Sequence, residues 1–463
     1  MHNAVVSHDY TLLETGRRRA LLVHPPLFDT RLYWAAFQQP VALLQLATAL
    51  RHCGCDIRLL DAMCAGPGDA IVKQRVRKFT RGEMAINYWR WGVPTGQLMR
   101  QLEGLKLEGW LPDDTYILSG EPFQWEGSAE AVATARQVFP GTRVLLFGRY
   151  PTLAPEHARE CSGADMLIAG QIQELAGLPL DLSHCAVRPR NSHLAIDTPE
   201  RPVADLLAEL RVLSRPADRK ARIGHIVLAD QNTLERFPEH CRALFQAARD
   251  EKLGVTFHAF GGVHPRLLAN DANLARLLFE AGLKQVFLAD EPDLPATGEA
   301  REQYLAECGA AIAYCVGAGY RARTDALTAT VCVGRAQEDL KEVAALLTEL
   351  AHIAGSVIVL PFQPQPAECP ADLPLEEQNG KIFPLAAQQG YRVRDYFDLL
   401  GLGAVLNSKY RSRTFDFLGD GLISRLVRAS LVTESWRPPA SVPDRPITVG
   451  WIGKDGKWIR PPQ

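Results

Sequence analysis

Short apolar runs separated by amphipathic stretches dominate the first part of the chain. Residues 20–23, 116–119, 144–147 and 166–169 are such runs, the pattern of strands buried on both faces. Residues 56–60 read as a further strand, followed by Asp61. Helical periodicity fills the gaps. Pro40 opens a helix over 41–54, as proline in a first turn does. Ser128 is the expected N-cap of a second helix, Val132, Ala135 and Phe139 share one face of it, and Pro140-Gly141 stops it. Three runs end beside Gly120, Gly148 and Gly170, where a ligand can approach the backbone closely. Ligands of open parallel sheets bind at the carboxyl ends of strands, so the expected site lies beside Ser119-Gly120, Phe147-Gly148 and Gly170. His24-Pro25-Pro26 ends the first strand and makes a rigid loop at the same edge.

From about residue 180 the rhythm becomes a repeated strand–helix unit. Strands are expected near 192–196, 225–230, 255–261, 285–291, 329–334 and 356–362, with helices over 203–213, 237–251, 272–281, 301–317 and 338–353. Six strands alternating with helices predict a parallel, partly closed barrel, too short for an eight-fold one. The fold class expected is therefore α/β: a Rossmann-like parallel-sheet domain over 1–178, a partial (β/α)6 barrel over 179–365, and a C-terminal helical and hairpin extension over 366–463. Residues 1–18 read as a polar lead-in, and 65–114 as an insertion holding Tyr88-Trp89-Arg90-Trp91-Gly92-Val93-Pro94. Residues 361–374 are a proline-rich linker or cap, and 411–432 a closing helix. Residues 448–460 form a hairpin turning at Asp455-Gly456.

Composition narrows the function classes. A chain of 463 residues has room for two or three domains, and 47% hydrophobic with 22% charged residues is ordinary for globular proteins. A net charge of −2 provides no basic surplus for nucleic acid. No apolar run is long enough for a membrane span, and MHNAVVSHDYTLLETGRRRA has no signal-type apolar region, so a cytoplasmic protein is expected. The ten cysteines are scattered and read as reduced thiols; Cys53-Gly54-Cys55 is the only tight pair and has no further ligands nearby.

The segment LSGEPFQWEGSAEAVATARQVFPGTRVLLFGRYPTLAPEHARECSGADMLIAG resembles the cobalamin-binding domain of cobalamin-dependent radical S-adenosylmethionine enzymes. Tyr150, Thr152 and Pro155-Glu156-His157 are among the residues that carry the likeness, and the strand–loop–helix–strand opening of the chain shares it. The resemblance implies cobalamin at the strand-end edge. Its tail would lie between Ser119-Gly120 and Gly148, its ring near Pro25, Pro26 and Tyr150, and Trp89 would wall the pocket. Glu121, Phe147, Arg149, Thr152 and Gly170 complete the expected cofactor set. A generic Rossmann-like sheet for another ligand is the alternative. The Asp-x-His-x-x-Gly motif of corrinoid proteins that ligate cobalt through histidine is absent, so His24 is read as hydrogen-bonded scaffold and no metal ligand is assigned.

The second half, GHIVLADQNTL and VTFHAFGGVHPRLLANDANLARLLFEAGLKQVFLADE, resembles the core of the same family's barrel. One departure matters. Radical members hold an iron–sulfur cluster with Cys-x-x-x-Cys-x-x-Cys after the first barrel strand. Here that region reads DLSHCAVRPRNSHLAID, and counting from Cys185 the other two positions are Pro189 and Ser192. No iron–sulfur cluster is expected. The reading is a cobalamin-binding protein with a degenerate barrel; if it is an enzyme, polar methyl transfer to a small molecule or protein partner follows, with S-adenosylmethionine as a candidate donor. Asp230, His258, His264, Asp290 and Glu291 stand at expected strand ends as acid–base candidates. The alternatives are a non-catalytic corrinoid carrier, chaperone or sensor, and a barrel enzyme without cobalamin.

Overall fold

The computed structural model describes residues 5–7, 10, 18–30, 40–64, 71–170, 172, 175, 178–184, 191–194, 201–216, 222–228, 233–289, 298–410, 451–452 and 458–459. The protein is mixed α/β. Its first-half strands are β1 (Val5–Ser7), β2 (Arg19–His24), β3 (Leu27–Asp29), β4 (Asp56–Asp61), β5 (Val72–Arg81), β6 (Met84–Gly92), β7 (Asp114–Ser119), β8 (Arg143–Gly148) and β9 (Met166–Ile168). Six of them form one parallel sheet in the order β1-β9-β8-β7-β2-β4. Counted from β2, the last five follow the doubly wound order 2-1-3-4-5, which reverses between β2 and β7.

Both faces of this sheet are buried because consecutive side chains on a strand point opposite ways. Leu21 and Val23 pack with Leu102, Val132 and Val138 on one side. Ala20 and Leu22 pack with Leu43, Leu46 and Leu50 on the other. The apolar runs of the sequence are thus the strands, each within two residues of its expected ends. Two local expectations differ. Val5–Ser7 lies in the stretch read as lead-in, yet pairs with β9 as an edge strand. The helix expected to start at Ser128 starts at Trp125, after a 3-10 turn over Pro122–Gln124 closed by a Glu121/Gln124 capping box. Ser128, one turn inside, donates its hydroxyl to Ser119 Oγ at 3.0 Å instead.

The insertion supplies β5, β6 and helix Thr95–Leu107; β5 and β6 join β3 in an antiparallel sheet, β3-β6-β5, with a register shift between Arg75 and Arg77. A Cβ at Gly127 would lie 1.9 Å from Pro26 O, so only glycine lets the helix Trp125–Val138 meet the turn between β2 and β3.

The second half contains β10 (Asn191–Leu194), β11 (His225–Leu228), β12 (Thr256–His258), β13 (Val286–Leu288), β14 (Leu327–Val333) and β15 (Val357–Pro361). They form two parallel three-stranded sheets in chain order, β10-β11-β12 and β13-β14-β15. Isolated parallel bridges, Phe257 to Leu283 and Val263 to Leu288, connect the two groups. All six expected strands are present, β14 starting two residues earlier than drawn, and helix Ala272–Ala281 has its expected bounds. Asp271 caps that helix through Asn273 N and Leu274 N. A single hydrophobic cluster runs from Leu194 to Leu406, so helix Val393–Tyr410 belongs to the second core although the sequence border fell at 365. Arg411–Val432 lies outside the described residues; β16 (Trp451–Ile452) and β17 (Trp458–Ile459) pair antiparallel, as the hairpin reading requires. No helix among the described residues is long and apolar enough to cross a membrane.

The proline-rich stretch after β15 continues into a strap that binds the first half. Leu375–Glu377 and Gly380–Ile382 are 3-10 turns. Glu376 pairs with Arg77 at 3.0 Å and accepts from Trp125 Nε1 at 3.2 Å; Glu377 pairs with Arg81 at 2.7 Å. Asp29, fully buried on β3, forms an ion pair with Lys381 and accepts from Asn379 Nδ2 at 2.9 Å. Removing the cation leaves a buried carboxylate without its charge partner. Lys381→Met is therefore expected to lower unfolding free energy by about 3–5 kcal/mol, and adding Asp29→Asn to recover part of it. Urea titration checks this; an unchanged midpoint for Lys381→Met refutes it.

Candidate functional site

The carboxyl edge of the first sheet is built by strand register. β2 and β4 end together, with His24 opposite Asp61. The pairing brings His24 Nδ1 to 2.7 Å from Asp61 Oδ1. The carboxylate orients the ring. Asp61 also accepts from Met63 N at 2.9 Å, which shapes the turn beyond β4. Pro25 and Pro26 are buried.

Across the reversal point, Ser119 is opposite Gly148 at the ends of β7 and β8. A Cβ at Gly148 would lie 2.1 Å from Ser119 O, and its φ is +113°. The glycine is thus required by the strand pairing itself, not only by whatever binds there. Beyond the strand ends, Arg149 pairs with Glu121 at 2.7 Å, and Thr152 Oγ1 donates to Gly148 O at 2.8 Å. Arg149 and Thr152 are exposed, and Gly120, Glu121, Gly148 and Gly170 are half-buried. Ser119, Phe147 and Tyr150 are buried.

Tyr150 has a supporting place. Its hydroxyl meets His157 Nδ1 at 2.7 Å, and His157 lies edge-on to Trp125 at 5.0 Å. Burial raises the Tyr150 phenol and lowers the His157 imidazole, so a neutral pair is favoured. Through Trp125 this pair reaches Glu376 of the strap. Trp89 belongs to the antiparallel sheet, in register with Asp29, rather than to the strand ends. Lys73 Nζ stands over its ring at 4.0 Å and over Trp91 at 4.8 Å, and burial lowers that ammonium.

The second half offers a different site. Ile226, Leu228, Phe257, Val286 and Leu288 pack into the helix-covered core. Alternation puts His225, Val227, Thr256, His258 and Phe287 on the opposite face. There His225 Nδ1 lies 3.1 Å from His258 Nε2, and Phe260 stacks on His258 at 5.5 Å. Burial, with His225 beside it, pushes His258 down to about 4. His264 is not part of this group: its Nδ1 accepts from Arg266 N at 3.2 Å and caps helix Pro265–Ala269. Asp230, Asp290 and Glu291 lie outside the described residues. His225 was missed in the sequence because it opens its strand, and only the pairing of Val227 with His258 shows the two imidazoles to be neighbours. Period-two alternation across adjacent predicted strands was the available signal.

The His258 shift carries a sign. Its folded value, about 4, is below the ordinary 6.5, so the unfolded state binds the extra proton between them. Stability from this group is complete above pH 6.5 and is lost as pH falls toward 4. The loss is at most about 3 kcal/mol, less for the part of the ring that water reaches. Urea unfolding of wild type and His258→Asn across that range checks it; parallel stability–pH curves refute it. Compared with family models and with curated proteins, the chain matches none.

Proposed function

We propose that this chain binds a cobalamin-type corrinoid at the carboxyl edge of a Rossmann-like first domain, and that its second half is a partial (β/α)6 barrel of radical S-adenosylmethionine type without the cluster. The observation that carries the reading is the order β4-β2-β7-β8-β9, whose reversal falls at His24-Pro25 and Ser119-Gly120. The residues at this edge suit such a group. Gly120, Gly148 and Gly170 offer backbone without side chains, and Glu121, Arg149 and Thr152 offer donors and acceptors to an amide-rimmed ring. Pro26 against Gly127 and Tyr150 against His157 keep that edge rigid.

When bound, the corrinoid supplies a cobalt that accepts and donates a methyl group. The chain's own part in polar methyl transfer is to hold the acceptor on the face of β11, β12 and β13 turned away from the helices, beside Phe260, Phe287 and His258. A second reading, a corrinoid carrier, chaperone or sensor, shares the same edge. It draws on His264 being engaged as a helix cap rather than free for proton transfer.

Hydroxocobalamin titration of the full chain, followed by absorption, tests binding. Gly120→Trp is the informative variant, because a Cβ there meets Gln124 Oε1, the end of a flexible side chain, at 2.4 Å. Overfilling of roughly 1–3 kcal/mol predicts about 5–150-fold weaker binding. No spectral change with wild type, or equal affinity in the variant, rejects the site. Methyl-donor consumption by the cobalamin-loaded protein separates enzyme from carrier.

The cluster is tested separately. Reconstitution with iron and sulfide is expected to leave no cubane, because the stretch 179–196 holds Cys185 alone. About four irons per chain with 5′-deoxyadenosine formation would return the protein to radical chemistry.

A further inference from the structure

Strand β5, VKQRVRKFTR, is the outer strand of the sheet β3-β6-β5. Among the described residues its far edge pairs with no other strand, and its backbone makes no bond outside the ladder with β6. It carries five cations, Lys73, Arg75, Arg77, Lys78 and Arg81, and no acid. Such a charge keeps a second copy of the same strand away, because like charges face each other across the pairing. Two of the cations show what the strand accepts instead. Arg77 takes Glu376 of the strap at 3.0 Å, and Arg81 takes Glu377 at 2.7 Å. Register divides the rest. Arg77 is opposite Tyr88 and Arg81 opposite Met84, whereas Lys73 is opposite Trp91, Arg75 opposite Trp89 and Lys78 opposite Asn87. Alternation along β6 puts this second group on the other face of the sheet. Lys73, Arg75 and Lys78 are exposed, and no carboxylate among the described residues pairs with them.

We propose that β5 is a docking edge for an acidic, extended peptide segment of a partner protein, which adds to the sheet as a further strand. The backbone supplies affinity, because an edge strand presents amides and carbonyls that an extended peptide satisfies. The charges supply selectivity. Arg75 and Lys78, with Lys73 beyond them, meet acidic side chains of the guest as opposite-charge pairs across the ladder, and a basic guest is repelled. Val76, the residue skipped in the register, is 44% exposed and offers an apolar contact beside them. The strap is the precedent within the chain: it brings Glu376 and Glu377 to this strand behind Leu375, which is buried in the first core. Single-stranded nucleic acid suits the surface less. Its bases need open aromatic faces, and Lys73 Nζ already stands over Trp89 at 4.0 Å and over Trp91 at 4.8 Å. A sugar–phosphate chain also cannot continue a strand's ladder.

This surface is independent of the corrinoid reading, and so is its test. The full chain, without cobalamin, is titrated into a short fluorescent peptide of alternating glutamate and valine, and anisotropy is followed. Saturable binding that weakens as salt rises is expected. A lysine–valine peptide of the same length and an oligouridylate should not bind. Two further glutamate–valine probes, each N-methylated along a different edge, separate strand addition from simple charge attraction. One should bind like the parent and the other should fail, because only one edge of the guest faces β5. Arg75→Glu combined with Lys78→Glu should weaken binding roughly 3- to 100-fold, with Arg77 and Arg81 left to hold the strap. Circular dichroism confirms that this variant is folded; if it is not, the two N-methylated probes decide on wild type. Absence of peptide binding, equal behaviour of the two N-methylated probes, or unchanged affinity in the folded double variant overturns the proposal. Tighter binding of oligouridylate than of the peptide does so too, and marks the surface as one for nucleic acid.

Discussion

Asp29 is a carboxylate with no access to water, and the arrangement of the molecule depends on how it is compensated. Transfer of such a charge out of water costs several kcal/mol, and only a well-placed cation with hydrogen bonds offsets that. Both come from residues about 350 positions later in the chain, Lys381 and Asn379. The net stabilisation from such a pair is small, but the alternatives are costly: any arrangement that withdraws the strap strands the carboxylate. The pair therefore acts on specificity, holding the strap against β3. Arg77 and Arg81 extend the lock through Glu376 and Glu377, and Trp125 carries it to the helix that backs the strand-end edge.

The same connection relates the two halves structurally. Trp125 touches His157, which holds Tyr150 beside the strand-end loop. The strand-end edge and the strap between β15 and helix Val393–Tyr410 thus share a continuous set of contacts. The edge itself is stiff for backbone reasons. Gly148 and Gly127 allow approaches that any side chain would block, so these glycines are explained by packing before any ligand is considered. The inner face of the second sheet is the opposite case. Its helix-facing side is a filled core, whereas the other side presents imidazoles, phenyl rings and an exposed leucine. A parallel sheet ordinarily buries both faces, and one left partly open is where chemistry finds room.

The sequence by itself determined the α/β class, the parallel runs and most helix bounds, because strand burial, proline and glycine leave local marks. Residues 116–119 and 144–147 could hardly be anything but inner strands, and Ala272–Ala281 showed its periodicity and its Asp271 cap openly. Tertiary structure alone decided what depended on register and on distant partners. Ser128 looked like a cap until the Glu121/Gln124 box, set by Pro122, started the helix earlier. Val5–Ser7 had too little apolar length to read as a strand, and β9 supplied the missing ladder. Asp29 and Lys381, or His225 and His258, are unremarkable where they stand in the chain. Their meaning comes from contact across 352 and 33 positions, which periodicity cannot report because it describes one element at a time.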